Sequence, residues 1–142
     1  MKKFLINAMI IGMISIVCSA CISSANSAGL TTSRWKLLSY GPTDNQIKAI
    51  PDIDTMLAFN PDGLVTGSMG CNSFGGKYRA AGGQIAFEEI TQTLLACESN
   101  VLQQETQVMQ VFSGHTRFTL ESGILTITTE DGGISAIFYA EQ

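Results

Sequence analysis

Gly67-Ser68-Met69-Gly70-Cys71-Asn72-Ser73-Phe74-Gly75-Gly76-Lys77-Tyr78 reads GSMGCNSFGGKY. Glycines, a cysteine and a lysine after a glycine pair fit three readings: a phosphate loop, a nucleophile turn, or an architectural bend. A phosphate loop needs Gly, four residues, then Gly-Lys-Ser/Thr, so that backbone N–H groups cradle phosphate and the hydroxyl holds magnesium. Gly70 to Gly75 has the gap, but Gly76 stands where Lys is needed, and Tyr78 follows Lys77. The next element also reads as a strand, not a helix whose N-terminus faces phosphate. A nucleophile elbow needs Gly-x-Ser-x-Gly between strand and helix. Thr66-Gly67-Ser68-Met69-Gly70 begins with Thr and no helix follows. Its one available base is His115, the single histidine of the chain.

The architectural reading uses every residue. Gly67 and Gly70 let the chain bend or bulge as a strand ends. Gly75-Gly76 permits positive φ before the next strand starts. Asn72 bonds its own backbone and tolerates a left-handed conformation, while Phe74 and Tyr78 cover the turn.

Short strands with turn signals lie on both sides. Arg34–Tyr40 (RWKLLSY) alternates, with Trp35 and Leu37 on one face and Leu38 and Tyr40 on the other. Thr55–Phe59 and Leu64–Ser68 flank Asn60-Pro61-Asp62-Gly63, which carries Asn, Pro and Gly at the type I positions. Lys77–Ala80 and Gln84–Phe87 flank Ala81-Gly82-Gly83, and Thr116–Leu120, Ile124–Thr128 and Ile134–Tyr139 follow. About eight strands at this spacing predict a mainly β fold, a sandwich or antiparallel barrel. One segment breaks the period. Asn100–Phe112 (NVLQQETQVMQVF) sets Val101, Leu102, Val108, Met109 and Phe112 near one helical face. Ser99 or Asn100 caps its start and Gly114 ends it. One amphipathic helix packed against the strands predicts a plug for the mouth of a closed sheet.

The N-terminus reads as a targeting segment. Lys2 and Lys3 precede an apolar run, Phe4–Val17, and then small residues. Ser19-Ala20-Cys21 resembles a bacterial lipobox, with lipidation at Cys21, although Cys18 stands where that box usually has Leu. Cleavage after Ala25 or Ala28, or an uncleaved anchor over Phe4–Ile22, are the rival fates. The resulting division is a lipoprotein-type signal over residues 1–20, a flexible tether over 21–33 from its small polar composition, and one domain over 34–142. Loss of residues 1–20 removes Lys2 and Lys3 and moves the net charge from −4 to −6. No basic patch remains, so nucleic acid is not an expected partner.

Cys71 and Cys97 remain once Cys18 and Cys21 are assigned to the signal and the lipid. An even pair in an exported domain favours a disulfide. Their spacing excludes a CxxC redox site, and a zinc site would need carboxylates to complete it. No metal or other cofactor is expected.

The ordered set Trp35-Lys36-Leu37, Phe59-Asn60-Pro61-Asp62-Gly63, the GSMGCNSFGGKY stretch and Thr93-Leu94-Leu95-Ala96-Cys97 resembles the META domain family, which includes the HslJ-like heat-inducible proteins. The GCN-x-F-x-G-x-Y core matches at Gly70, Cys71, Asn72, Phe74, Gly76 and Tyr78, and T-x-x-A-C at Thr93, Ala96 and Cys97. Glu105, Phe112, Leu125-Thr126-Ile127, Asp131-Gly132 and Phe138 extend the agreement over roughly residues 33–140. The resemblance implies a compact β-barrel-like or β-roll domain with one helix, frequent lipid anchoring, no established enzymatic activity, and association with envelope stress.

Three functions follow as expectations. The first is a non-enzymatic envelope lipoprotein, held to a membrane by its N-terminal lipid, that binds or stabilises an envelope protein. The second is a small barrel carrying an apolar ligand such as an acyl chain, with Phe59, Phe87, Met109 and Phe138 as cavity lining or, more simply, as core. The third, an enzyme, has only Ser68 with His115 and the turn carboxylates Glu88-Glu89 and Glu130-Asp131 to offer. No catalytic residue is assigned.

Overall fold

The computed structural model describes residues 27–141. The signal over residues 1–20 and Cys21 lie outside the described residues. Strands β1 (Arg34–Pro42), β2 (Ile47–Lys48), β3 (Met56–Phe59), β4 (Leu64–Ser68), β5 (Ser73–Ala81), β6 (Gln84–Gln92), β7 (Gly114–Glu121), β8 (Ile124–Thr129) and β9 (Ile134–Glu141) form one antiparallel sheet. β1 pairs with both β3 and β9, which closes eight strands into a barrel. The two-residue β2 pairs with the far half of β1, beyond its contact with β3. Closure leaves no long open edge around most of the circumference, which is the usual protection of an all-β sheet against edge pairing.

The turns behave as their residues dictate. Gly63 N–H donates to the Asn60 carbonyl at 3.1 Å, closing the four-residue turn predicted for Asn60–Gly63. Gly82, Gly83 and Gly123 supply the left-handed backbone of the next hairpins.

Three local expectations need correction. The alternation of β1 does not run through. The register against β9 slips between Leu37↔Phe138 and Ser39↔Ile137, so Leu38 is a bulged extra residue. The bulge resets the phase. Trp35, Leu37 and Tyr40 all face the core, and Leu38 alone is turned out. β5 also begins at Ser73, not Lys77, and β6 runs on to Gln92. Gly75 and Gly76 therefore lie inside a strand without positive φ. Glu88-Glu89 also falls within β6, not in a turn, where Lys77 pairs with Glu89 at 2.7 Å and Arg79 with Glu88.

The core is a run of aromatic rings. Phe112 is the hub, with ring centroids 4.8 Å from Phe74, 5.2 Å from Phe87 and 6.4 Å from Phe138. Phe87 lies 6.4 Å from Phe59, which meets Tyr78 edge-on at 4.8 Å. Side chains thus fill the barrel interior. Phe59, Phe87 and Phe138 are buried core and Met109 packs against it, partly buried.

Both mouths are covered. Helix α1 (Ser99–Val108) continues as a 3-10 turn, Met109–Phe112, and covers the end holding the β4–β5 bend. It starts one residue before the expected Asn100, with Glu98 as its cap residue. The opposite end holds the β3–β4, β5–β6 and β7–β8 turns, and a 3-10 helix over Ser27–Thr32 closes it. This corrects the expected tether and moves the domain start: within residues 21–33, the described part is packed structure. Leu30 is fully buried in the core, its carbonyl accepts from Trp35 Nε1 at 3.0 Å, and Gly29 has the Leu120 side chain in the space a Cβ would need. Only one apolar residue does this work, which is why the composition of 22–33 reads as solvent-exposed.

Leu30→Ala should therefore lower unfolding stability by about 2–4 kcal/mol, read from urea titration, as for other buried leucines. A change of a few tenths would restore the tether reading.

Candidate functional site

Gly70, Cys71, Asn72, Phe74, Thr93 and Cys97 come together at the helix-covered end of the barrel, whereas Tyr78 lies toward the opposite end, beside the Asn60–Gly63 turn. Gly70 turns the chain after β4 with φ +133°, a region that L side chains rarely adopt. A Cβ there would meet Ile53 Cγ2 at 2.8 Å and Val101 Cγ1 at 2.9 Å. Glycine is required both by the backbone and by the close passage of α1. Gly76 is required for a different reason. The β5–β6 register slips around it, and a Cβ would meet the Glu88 carbonyl at 2.9 Å and Ile90 Cδ1 at 2.5 Å.

Asn72 is the centre of the corner. It is 3% exposed. Its Oδ1 accepts from Thr93 Oγ1 at 2.9 Å and from Leu95 N–H at 2.7 Å. Its own N–H donates to Glu105 Oε2 at 3.1 Å. Thr93 is held further by Ser73, whose N–H donates to Thr93 Oγ1 and whose carbonyl accepts from Thr93 N–H. A Cys71–Cys97 disulfide, with Cα atoms 6.4 Å apart, spans the same gap. The bend after β4, the segment after β6 and the first turns of α1 are thus tied at one point. Phe74 is core, and Tyr78 donates from its hydroxyl to the Asn60 carbonyl at 3.0 Å. Burial, with a smaller contribution from Asp62, holds the Tyr78 hydroxyl above the usual phenol range.

The residue that sequence reasoning missed is Gln104. It is fully buried, accepts from Ile50 N–H at 2.8 Å through Oε1 and donates to the Met69 carbonyl at 2.8 Å through Nε2. A signal for it existed. Val101, Gln104, Glu105 and Val108 fall at i, i+3, i+4 and i+7, the spacing of a buried helical stripe. Counting only apolar residues hid two polar members of that stripe. Both serve the backbone of irregular chain, whose buried N–H and C=O groups must find partners.

The structure does not bring the enzyme candidates together. Ser68 ends β4, where its hydroxyl accepts from Gly70 N–H at 3.5 Å. His115 is exposed on β7 opposite Ala86, with β5 and β6 between the two strands. Glu130-Asp131 does occupy the β8–β9 turn. Asp131 accepts from Thr129 Oγ1 at 2.5 Å and from Gly133 N–H at 3.0 Å, and these bonds hold its carboxyl below the usual range. A separate surface depression of about 710 Å³ lies between β1 and the 46–55 loop, with Leu38, Ile50, Ile53 and Tyr139 on its walls. Lys36 at its edge is paired with Asp54 at 2.6 Å and Glu141 at 3.4 Å.

The geometry predicts the response to mutation. Closing a loop of 26 residues' separation contributes about 3.5 kcal/mol in the chain-entropy model. Cys71→Ser and Cys97→Ser should each destabilise by about 2–5 kcal/mol, and the double variant by little more, because one bond is lost in all three. Losses that add would contradict the bond. Asn72→Ala strands the Leu95 N–H, and should cost about 1–3 kcal/mol in denaturant titration even with the disulfide intact.

Comparisons with known proteins agree with this picture. An NMR structure of a protein from Burkholderia xenovorans superposes with a TM-score of 0.65 at 17% identity, covering 100% of this chain and 99% of that one. A second NMR structure gives 0.63 at 16% identity over 80% and 92% of the two chains. The crystal structure of a DUF4847 family protein from Bacteroides vulgatus ATCC 8482 gives 0.56 at 14% identity over 79% and 94%. At these identities the likeness is one of fold. No curated protein matches the chain. The META domain family model matches residues 28–142, beginning inside the 3-10 helix that closes the barrel and taking in the whole Asn72 corner. The chain belongs to the META domain family.

Proposed function

We propose that this protein is a non-enzymatic envelope lipoprotein that binds or stabilises another envelope component, in a role related to stress. The observation that carries the reading is how the motif residues are used. Asn72, Thr93, Gln104 and Glu105 direct their polar atoms at backbone and at one another, and Cys71 and Cys97 are joined. A corner used in this way supplies a rigid scaffold and leaves no nucleophile–base pair at its centre. Function then belongs to the surface. The disulfide suits an oxidising compartment. Export and anchoring rest on Lys2, Lys3, the apolar run Phe4–Val17 and Ser19-Ala20-Cys21. Among the described residues no helix is long and apolar enough to cross a membrane. An acidic domain is repelled by anionic headgroups, so attachment falls to the lipid, and one acyl chain alone anchors only marginally. The stress association comes from the family.

Intact mass of protein extracted from membranes tests the anchor. The expected mass is that of a chain starting at Cys21 with acyl groups added, and Cys21→Ala should move the protein out of the membrane fraction. An unmodified N-terminus after Ala25 or Ala28 would overturn it. Screening with ester, peptide and phosphate substrates tests the absence of catalysis. Turnover abolished by both Ser68→Ala and His115→Ala would make the protein an enzyme.

A further inference from the structure

Leu94 and Leu95 are the most exposed large apolar side chains among the described residues, at 88% and 61%. They sit between β6 and α1, in the segment fixed by the Asn72 corner. Thr93 N–H is bound to the Ser73 carbonyl at 3.0 Å, Leu95 N–H to Asn72 Oδ1 at 2.7 Å, and Cys97 to Cys71. Two neighbouring leucines are thus held out in water by a fixed backbone, where nothing in the fold requires an apolar residue. A cleft of about 470 Å³ lies between this segment and α1, with Leu94, Leu95, Ala96 and Leu102 on its walls.

The part of β6 that leads into this stretch is an open sheet edge. The β6–β7 ladder ends at Phe87↔Gly114, while β6 continues beside β5 as far as Phe74↔Gln92. From Glu88 onward, β6 has a strand on one side only. Thr93 and Leu95 both direct their N–H groups toward the β5 side. The alternation of an extended chain turns the Leu94 N–H the other way, where it has no hydrogen-bond partner among the described residues. An edge with exposed apolar side chains is a template for another strand. The surroundings set the charge of that strand. From Ile90 to Gly114 the chain holds Glu98 and Glu105 and no Lys, Arg or His, and the exposed Glu98 has no ion-pair partner among the described residues.

The chain's own N-terminus and the bilayer are poor occupants. Ser27 lies at the opposite end of the barrel, beside Pro61, Gly63 and Arg79. Six residues from a lipidated Cys21 reach about 20 Å, and β5 spans a similar length, about 20 Å, between Arg79 and Ser73. With a lipid at Cys21 the end that holds Ser27 is the tethered one, and the leucines lie at the other end of the barrel. This step rests on the proposed lipid anchor, whereas the strand-edge geometry does not.

We infer that residues 88–96 receive an extended polypeptide segment of a partner protein as an added strand. Its alternate apolar side chains cover Leu94 and Leu95, its backbone takes the Leu94 N–H, and a basic residue meets Glu98. The inference makes the proposed binding role specific, with a partner that is an extended, apolar, basic-flanked peptide.

The test is hydrogen exchange by mass spectrometry on the full chain in neutral-lipid nanodiscs. The probes are two peptides, KVTVTVTK and its counterpart EVTVTVTE, each with blocked ends. The basic peptide should slow exchange across residues 90–96 at least fivefold at millimolar concentration, and the acidic one should do so more weakly. Leu94→Pro, which removes the N–H, and the double variant Leu94→Ser with Leu95→Ser should abolish the protection while leaving thermal unfolding within a few degrees. Absence of protection by either peptide, or undiminished protection in the variants, would overturn the inference. So would protection of 90–96 by phosphatidylglycerol nanodiscs without peptide, because the occupant would then be the bilayer. Loss of the lipid anchor by mass, with peptide protection retained, would remove the proposed attachment and leave the strand-edge site standing.

Discussion

The hydrogen bonds of Asn72 tie the bend after β4 to helix α1 and to the chain just beyond the end of the β5–β6 ladder. β4 and β5 are neighbours in the sheet, but the connection between them leaves the pleat at Met69 and returns at Ser73. That excursion buries backbone groups which no strand can satisfy. Glu105 takes the Asn72 N–H and Gln104 the Met69 carbonyl, while the Asn72 side chain takes the Leu95 N–H beyond β6. Once those bonds form, α1 is seated over the barrel end and Phe112 is delivered to the centre of the aromatic core. The disulfide adds a covalent tie across the same point. It restricts the unfolded chain, while the hydrogen bonds specify the folded one.

This division accounts for the residue types of a stretch rich in glycine and polar residues. Gly70 gives α1 room to approach, and Gly76 gives the β6 backbone room to bulge. Phe74 and Tyr78 carry apolar area into the core from the same strand. A catalytic loop keeps polar atoms free for substrate, whereas here they meet protein. On the outer side of the same corner Leu94 and Leu95 stand exposed, and there the proposed recognition surface lies.

Much of this was legible in the sequence. The Asn60–Gly63 turn, the eight strands and the helix near 100–112 follow from local residue chemistry, and the pairing of Cys71 with Cys97 follows from the cysteine count and the export signal. What was not legible depends on tertiary partners. Leu30 sits in a run of small polar residues, and only the barrel mouth above Trp35 and Leu120 makes a core residue of it. Leu38 interrupts an alternation that looks continuous, because a bulge is a property of two strands in register and not of one. Gln104 is polar by composition and buried by position, and it needed the unpaired backbone of Ile50 and Met69 to become part of the core.

Native-state hydrogen exchange of the Asn72 amide measures the central claim most directly. This N–H is buried and bound to Glu105 across the corner. If the corner holds helix and barrel together, the Asn72 amide exchanges only through global unfolding, with the same free energy and denaturant dependence as Leu125 and Phe138 in the barrel wall. Exchange of Asn72 through a smaller local opening, with the barrel amides still protected, would show that the corner is an accessory to the fold and would contradict the account.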